Sequence, residues 1–297
     1  MQPLLFMKQL SRKHHYIPEF YLNNFTNEDG KFYIYLPKEN RFKKNGELFT
    51  PQTHFFELDG NNLIGADYVD DHLEKSYSDW DNKAAILFDK IKTSKEERFG
   101  LSEKDMPILQ FFIAHLYWRS PMANEFAKDL LKREGLNATG MIVRNSITGE
   151  IIQNHKFENY ISSNESSYKF VKHWLPYRLI TNLLKNDTPL EIITFNNGIK
   201  PNLIGDNPII FRNQSNVNVY EDDFILPITS NKFLIRMKRE GRPEKSVIMM
   251  IDALLIQQAQ QFVATTNVEY ISILKNCHEF QTADLREKLF SQFLICE

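Results

Sequence analysis

Arg12-Lys13-His14-His15-Tyr16-Ile17-Pro18-Glu19-Phe20-Tyr21-Leu22-Asn23-Asn24-Phe25 is the stretch around which the chain is organised. Two cations lead into adjacent histidines, which are followed by Pro18 and the carboxylate of Glu19. Tyr16, Ile17, Phe20, Tyr21, Leu22 and Phe25 supply enough apolar surface to pull the segment into a core. An imidazole anchored this way is held in place. Near pH 7 it is a base or a metal ligand, which no other unperturbed side chain here matches. In an extended segment neighbouring side chains point to opposite faces. One of His14 and His15 is therefore expected to reach a given cleft, and the other to be structural.

Outward from this stretch, the spacing of apolar residues sets the fold class. Lys31 to Leu36 follows the turn Glu28-Asp29-Gly30 and stops at Pro37, the pattern of a strand. From Ala66 to Lys92 the period becomes helical, with Val69, Leu73, Ser76, Trp80, Ala84, Leu87 and Ile91 at steps of three and four. The acids on this helix, Glu74 and Asp81 among them, read as a solvated face. A second helix opens on the capping signal Ser102-Glu103-Lys104-Asp105 and carries Ile108, Phe111, Phe112, His115, Leu116 and Arg119 on one face. Pro121 breaks it, and Met122 to Glu134 continues as a further piece ending at Gly135. A hairpin is expected around Thr148-Gly149, running from Met141-Ile142-Val143-Arg144 to Glu150-Ile151-Ile152. A third helix is expected from Ser167 to Leu184, with Pro176 kinking it and His173 packing or at the surface.

The last third turns to strands. Glu191 to Phe195 meets Asn196-Asn197-Gly198, a hairpin signal leading into Asn202 to Ile204. Phe224 to Thr229 and Lys232 to Lys238 read as two more strands. Leu254, Leu255, Gln258, Phe262 and Val263 share a helical register, as do Leu285, Leu289, Phe293 and Leu294. Strands, then helices, then strands, without regular alternation, predict an α+β fold. Its mixed or antiparallel β region comes from the N- and C-terminal parts. The helical middle is a subdomain of about residues 66–187 within one domain spanning 1–297.

Composition narrows the function classes. The 297 residues are 42% hydrophobic and 25% charged with a net charge of -2, so no global field draws in nucleic acid or a membrane. Any anionic partner must meet a local patch. Cys277 and Cys296 are the only cysteines, which excludes a disulfide framework or a multi-thiolate zinc site. No apolar run approaches the ~18 residues of a membrane span, and no signal-peptide cleavage pattern follows Met1 to Leu10, so a cytoplasmic location is expected. Phosphate loops, dinucleotide glycine patterns, nucleophile elbows and His-Glu-x-x-His are absent.

What remains is a dispersed polar set. Arg119 lies on an apolar helical stripe, and a buried arginine must meet a carboxylate, carbonyls or an anionic ligand. Asp206, in Gly205-Asp206-Asn207-Pro208, either presents a carboxylate at a sheet edge or bonds its own backbone as a plain turn. Lys232, Arg236, Lys238, Arg239, Arg242 and Lys245 make the most cationic stretch. His14, His15, Arg119 and Asp206 are the catalytic candidates, and Glu19, His115, Arg236 and Lys238 the candidates for substrate contact. Such a set can supply a base, an acid and charge stabilisation for a phosphoryl transition state. Alternatively, His14, His15, Asp206 and Glu19 could hold a divalent metal that activates water.

The block His14 to Phe25 resembles the opening signature of the domain-of-unknown-function 4238 family, whose members are mostly bacterial. Arg119-Ser120-Pro121, Gly205-Asp206-Asn207-Pro208 and Leu226-Pro227-Ile228-Thr229 match it further along, in the same order. The resemblance implies an acidic residue on the first long helix, Glu74 or Asp81, and it favours a functional role for Asp206. Its bacterial spread suits a defence or toxin role. Two functions follow as expectations. One is a nuclease-like phosphodiester hydrolase that meets nucleic acid through the cationic stretch. The other is a non-enzymatic module, binding a protein partner, in which the histidines and Arg119 anchor the N-terminal strand to the helices.

Overall fold

The computed structural model describes residues 11–64, 69–140, 142, 144, 145, 147–151, 159, 163–179, 190–195, 203–215, 217–237 and 247–293. The N-terminal part contributes β1 (Lys13–His15), the single turn α1 (Glu19–Leu22), β2 (Phe32–Leu36), β3 (Arg41–Phe42), β4 (Leu48–Phe49), β5 (Phe56–Leu58), β6 (Leu63–Ile64) and β7 (Val69–Asp70). The middle holds α2 (His72–Thr93), β8 (Arg98–Phe99), α3 (Asp105–Arg119), α4 (Asn124–Glu134) and α5 (Tyr168–Leu179). The C-terminal part supplies β9 (Leu190–Thr194), β10 (Leu203–Gly205), β11 (Ile210–Phe211), β12 (Phe224–Pro227) and β13 (Lys232–Arg236), then α6 (Val247–Gln258), β14 (Val263–Thr265), α7 (Val268–Asn276) and α8 (Leu285–Ser291).

The fold is α+β, and its described strand pairs are antiparallel. One sheet has the order β10-β14-β2-β3, with β4 also on β2, so it joins the two ends of the chain. Ala264 sits opposite Ile34 at its centre. The other runs β11-β12-β13-β9-β8 and is built mostly from the C-terminal part. β1 pairs separately with β5, placing His14 opposite Glu57.

Three helix boundaries of the middle have a local cause. The turn leading into α3 is held by Asp105, whose Oδ2 accepts from the Ser102 backbone N–H at 2.9 Å and the Ser102 hydroxyl at 2.6 Å. Gly135, at φ +55°, ends α4. α2 starts at His72 rather than Ala66, because Val69–Asp70 pair with Leu63–Ile64. Residues 65–68 lie outside the described set.

Two further expectations are corrected. β9 and β10 do not form a hairpin; they belong to different sheets, and residues 196–202 between them lie outside the described residues. α6 ends at Gln258, and Val263 is not helical but the middle of the end-joining sheet. The physical cause is Asp206, whose carboxylate accepts the backbone N–H groups of Gln260, Gln261 and Phe262 and turns the chain out of the helix. The neighbouring glycine is equally constrained: a Cβ on Gly205 would lie 2.9 Å from the Leu255 carbonyl oxygen, so only glycine lets β10 pack this closely on α6. Of the predicted hairpin around Thr148-Gly149, the Arg144–Ile151 bridge is present, while Met141, Val143 and Ile152 lie outside the described residues. The third helix is described as far as Leu179.

The opening stretch enters the core as its composition predicts. Tyr21, Leu22 and Phe25 are buried, each contributing roughly 1.5–3 kcal/mol of burial. Tyr21 meets Phe88 of α2 and Phe112 of α3 edge-on, with ring centroids 5.6 and 5.5 Å away. The short turn α1 therefore ties the N-terminal strands to the helical middle.

Candidate functional site

The same turn also reaches the C-terminal part. The Tyr21 hydroxyl donates to the Pro227 carbonyl, and Asn24 Nδ2 donates to the Ile228 carbonyl at 3.2 Å. The opening stretch and Leu226-Pro227-Ile228-Thr229 are thus in direct contact across about two hundred residues of sequence. This union holds β1, and with it the paired histidines, in a fixed place.

The two histidines have different surroundings. His14 is buried; its Nδ1 accepts the Asn61 backbone N–H at 2.9 Å, and its Nε2 lies 3.0 Å from the Ser11 carbonyl oxygen. Both ring nitrogens are occupied by the backbone, so His14 staples β1 to the turn after β5. His15 is half-buried, edge-on to Phe56. Its Nδ1 is 3.3 Å from Glu19 Oε1, and its Nε2 is 3.3 Å from the Pro51 carbonyl oxygen. Burial pulls the His15 pKa down, and the Glu19 carboxylate pulls part of it back. Arg119 and Glu74 lie within electrostatic reach of the same ring.

Arg119 closes α3 with its guanidinium turned inward. Nη1 and Nη2 donate to the two oxygens of Asp81 on α2 at 3.0 and 3.2 Å, and the guanidinium lies 4.8 Å from the Tyr77 ring centroid. Although burial opposes its charge, the Asp81 carboxylate holds the Arg119 pKa above its ordinary value. Glu74, two turns earlier on α2, accepts from Asn61 Nδ2 at 2.7 Å. Both acids that the sequence left open therefore face inward functions: Asp81 pairs with the arginine, and Glu74 with the turn that binds His14. The charge run is not simply a solvated face.

Behind Arg119 lies a pair of buried imidazoles. His115 of α3 and His173 of α5 stack with centroids 5.9 Å apart, and Tyr77 is edge-on to both. His173 Nε2 lies 3.1 Å from the Ser76 hydroxyl. Among the described residues, neither ring nitrogen of His115 has a hydrogen-bond partner. Burial, with the Arg119 charge adding to it, drives both pKa values down, that of His173 to about 4. Lys172, beside His173, donates to the Arg119 carbonyl at 3.2 Å and Asn124 Oδ1 at 2.5 Å, with burial pulling its pKa down to about 8. Sequence reading missed Lys172, Asn61 and the position of His173; a helical period shows which residues are buried, not which polar groups meet.

Asp206 and Arg236 do not join this cluster. Asp206 is buried on the backbone N–H groups of Gln260, Gln261 and Phe262, far along the chain, rather than on its own turn; burial raises its pKa and those bonds oppose the rise. Arg236 is buried rather than displayed to solvent. It donates to the Asp222 and Val219 carbonyls and stacks 4.6 Å from the Phe224 centroid. Lys232 is likewise buried, donating to Ile91 and Ser94 carbonyls at the end of α2. The described part of the cationic stretch is therefore internal scaffolding, and Lys238 lies outside the described residues. Among the described residues, no three His, Cys, Asp or Glu side chains gather as metal ligands. With His14 and Asp206 committed to backbone, the set His14, His15, Asp206 and Glu19 does not fit a divalent ion.

Asp206 instead lines a cleft of about 460 Å³ beside the C-terminal end of α3, together with Trp118, Ser120, Met122, Phe126 and Arg286. Arg119-Ser120-Pro121 and Gly205-Asp206-Asn207-Pro208 thus both reach this cleft, through Ser120 and through Asp206, Asn207 and Pro208.

These features define an α+β protein whose N- and C-terminal parts share a sheet and whose helical middle pairs a buried arginine with a carboxylate. The chain belongs to the family described as protein of unknown function (DUF4238), which it matches over residues 13–269. Comparison with curated proteins and with solved structures finds no match.

Proposed function

We propose that this protein is a phosphodiester hydrolase of the nuclease type, with His15 as the proton-transfer residue. The observation carrying this reading is the placement of the half-buried His15 ring against Glu19, with Arg119 and Glu74 within electrostatic reach. A carboxylate on Nδ1 orients an imidazole, and the lowered pKa keeps the ring available as a base near neutrality. The side chain of Glu19 is 40% exposed and that of Asp81 23%, so the cluster is open to solvent at its His15–Glu19 and Asp81 ends. Among the described residues Arg119 Nε has no hydrogen-bond partner, which leaves a buried donor for charge developing on a phosphoryl oxygen. A place in bacterial defence or toxin action is the setting that the family resemblance suggests.

A second reading has its own support. His14, Asp206 and Arg236 spend their polar atoms on the protein's own backbone, and Arg119 spends two donors on Asp81, as in an interaction module held together by these residues. The two readings separate in one assay. Purified protein is incubated with RNA, single-stranded DNA and duplex DNA, with and without magnesium or manganese. The hydrolase reading predicts cleavage of at least one substrate. No cleavage under any condition leaves the interaction module.

A further inference from the structure

The cleft beside α3 has a composition that neither reading uses. Trp118 is buried on its wall, and among the described residues its indole N–H has no hydrogen-bond partner. Unpartnered buried donors are rare because each forfeits the bonds it made in water. The indole lies 5.2 Å from the Phe126 ring at an interplanar angle of 39°. Phe126 is 47% exposed and Met122 52%, so the aromatic and thioether surface opens outward. A volume of about 460 Å³ falls within the roughly 300–1,000 Å³ of small-molecule sites.

Arg286 supplies the complementary charge. It donates to the Phe211 carbonyl at 2.5 Å and to Gln258 Oε1 at 3.2 Å, both neutral acceptors. Among the described residues no carboxylate forms an ion pair with it, and only burial acts on its pKa, downward. A guanidinium carries five N–H donors, so donors remain for a ligand. Asp206, on the same cleft, has its carboxylate covered by three backbone N–H groups.

We propose that this cleft binds a nucleotide unit, its base against Phe126 and Met122 with an acceptor toward the Trp118 N–H, and its phosphate on Arg286. Aromatic surface recognises a base by stacking irrespective of its identity, and arginine recognises phosphate through its fork of donors. The inference stands on residues outside the His15 cluster and does not require the hydrolase reading.

Isothermal titration of the full chain with AMP, adenosine and inorganic phosphate tests it. AMP is expected to bind, with adenosine weaker by about tenfold or more for want of the charge-assisted contact, and inorganic phosphate weaker by about tenfold or more for want of the stacked base. Phe126→Ala, at an exposed position, and Arg286→Gln and Trp118→Phe, each checked by thermal melt, should weaken AMP binding by a comparable factor. A trinucleotide that competes with AMP in a Phe126-dependent way assigns the unit to a nucleic-acid end; AMP binding without such competition assigns a free nucleotide. No binding of AMP at millimolar concentration, equal binding of adenosine and AMP, or wild-type affinity in Phe126→Ala would overturn the proposal. Binding is read at equilibrium, so a chain that binds AMP but cuts nothing refutes the hydrolase reading alone. A chain that cuts but does not bind AMP refutes this one.

Discussion

Arg119 and Asp81 join α3 to α2 through two parallel hydrogen bonds, of 3.0 and 3.2 Å, with the arginine 4% exposed and the aspartate 23%. The two partners are not equivalent. Asp81→Asn leaves a buried cation without its carboxylate, at a cost of about 3–5 kcal/mol. Arg119→Leu leaves a carboxylate that water still reaches, and the leucine fills an apolar stripe, so the loss should be smaller, about 1–3 kcal/mol. Chemical denaturation of both variants checks the order; equal losses would mean the guanidinium is not buried as described.

The buried imidazoles predict an acid-sensitive fold. The pKa of His173 falls from 6.5 to about 4 on folding. The unfolded chain therefore binds more protons across that window. Stability is fully present above 6.5 and is lost as pH falls toward 4, by at most about 3 kcal/mol for this residue. His115 acts in the same direction. Asp206 and Asp252 are raised from 3.8 and act oppositely, gaining for the fold as pH falls through their folded values. The informative measurement is thus the difference between wild type and His173→Gln, whose melting temperatures should converge as pH drops from 6.5 to 4. A constant gap would show that His173 does not titrate there.

The Tyr21 hydroxyl on the Pro227 carbonyl makes a third test. Tyr21→Phe keeps the ring against Phe88 and Phe112 while removing the donor. A loss of about 1–2 kcal/mol is expected. An unchanged melt would mean the contact between opening stretch and Leu226-Pro227-Ile228-Thr229 rests on packing alone.

Asp206→Asn separates the roles that sequence allowed this residue. An amide has one acceptor oxygen, and its NH₂ would face backbone donors, so the turn after α6 should lose about 2–4 kcal/mol. A variant that melts like wild type but loses activity would instead give Asp206 a chemical role.

The sequence made the fold class and the burial of the opening stretch legible because both rest on composition and period. Tyr16, Ile17, Tyr21, Leu22 and Phe25 had to be buried, and the helical register from Leu73 to Ile91 could face only one way. Strand partners were less legible. The Asn196-Asn197-Gly198 signal describes a local turn, whereas β9 and β10 find their partners in β13 and β14, far along the chain. Gln258, Phe262 and Val263 kept a helical spacing that Asp206 overrides by claiming three backbone N–H groups. For the site, the burial of Arg119 demanded a partner but did not say which, and the family resemblance left Glu74 and Asp81 open as the acidic residue of the first long helix. The cationic letters of Lys232 and Arg236 gave no sign that carbonyl groups would enclose them, because that enclosure is made by tertiary packing.

In the proposed hydrolase, His15 carries the chemistry while His14 carries structure. His14→Ala and His15→Ala should be compared for thermal stability and for cleavage of whichever nucleic acid the wild type cuts. His14→Ala removes a ring bonded at both nitrogens and should lower the melting temperature, with activity retained by the fraction that remains folded. His15→Ala should melt near wild type and lose activity by about two orders of magnitude or more, the scale of a general acid–base contribution. Full activity in a well-folded His15→Ala protein would contradict the account.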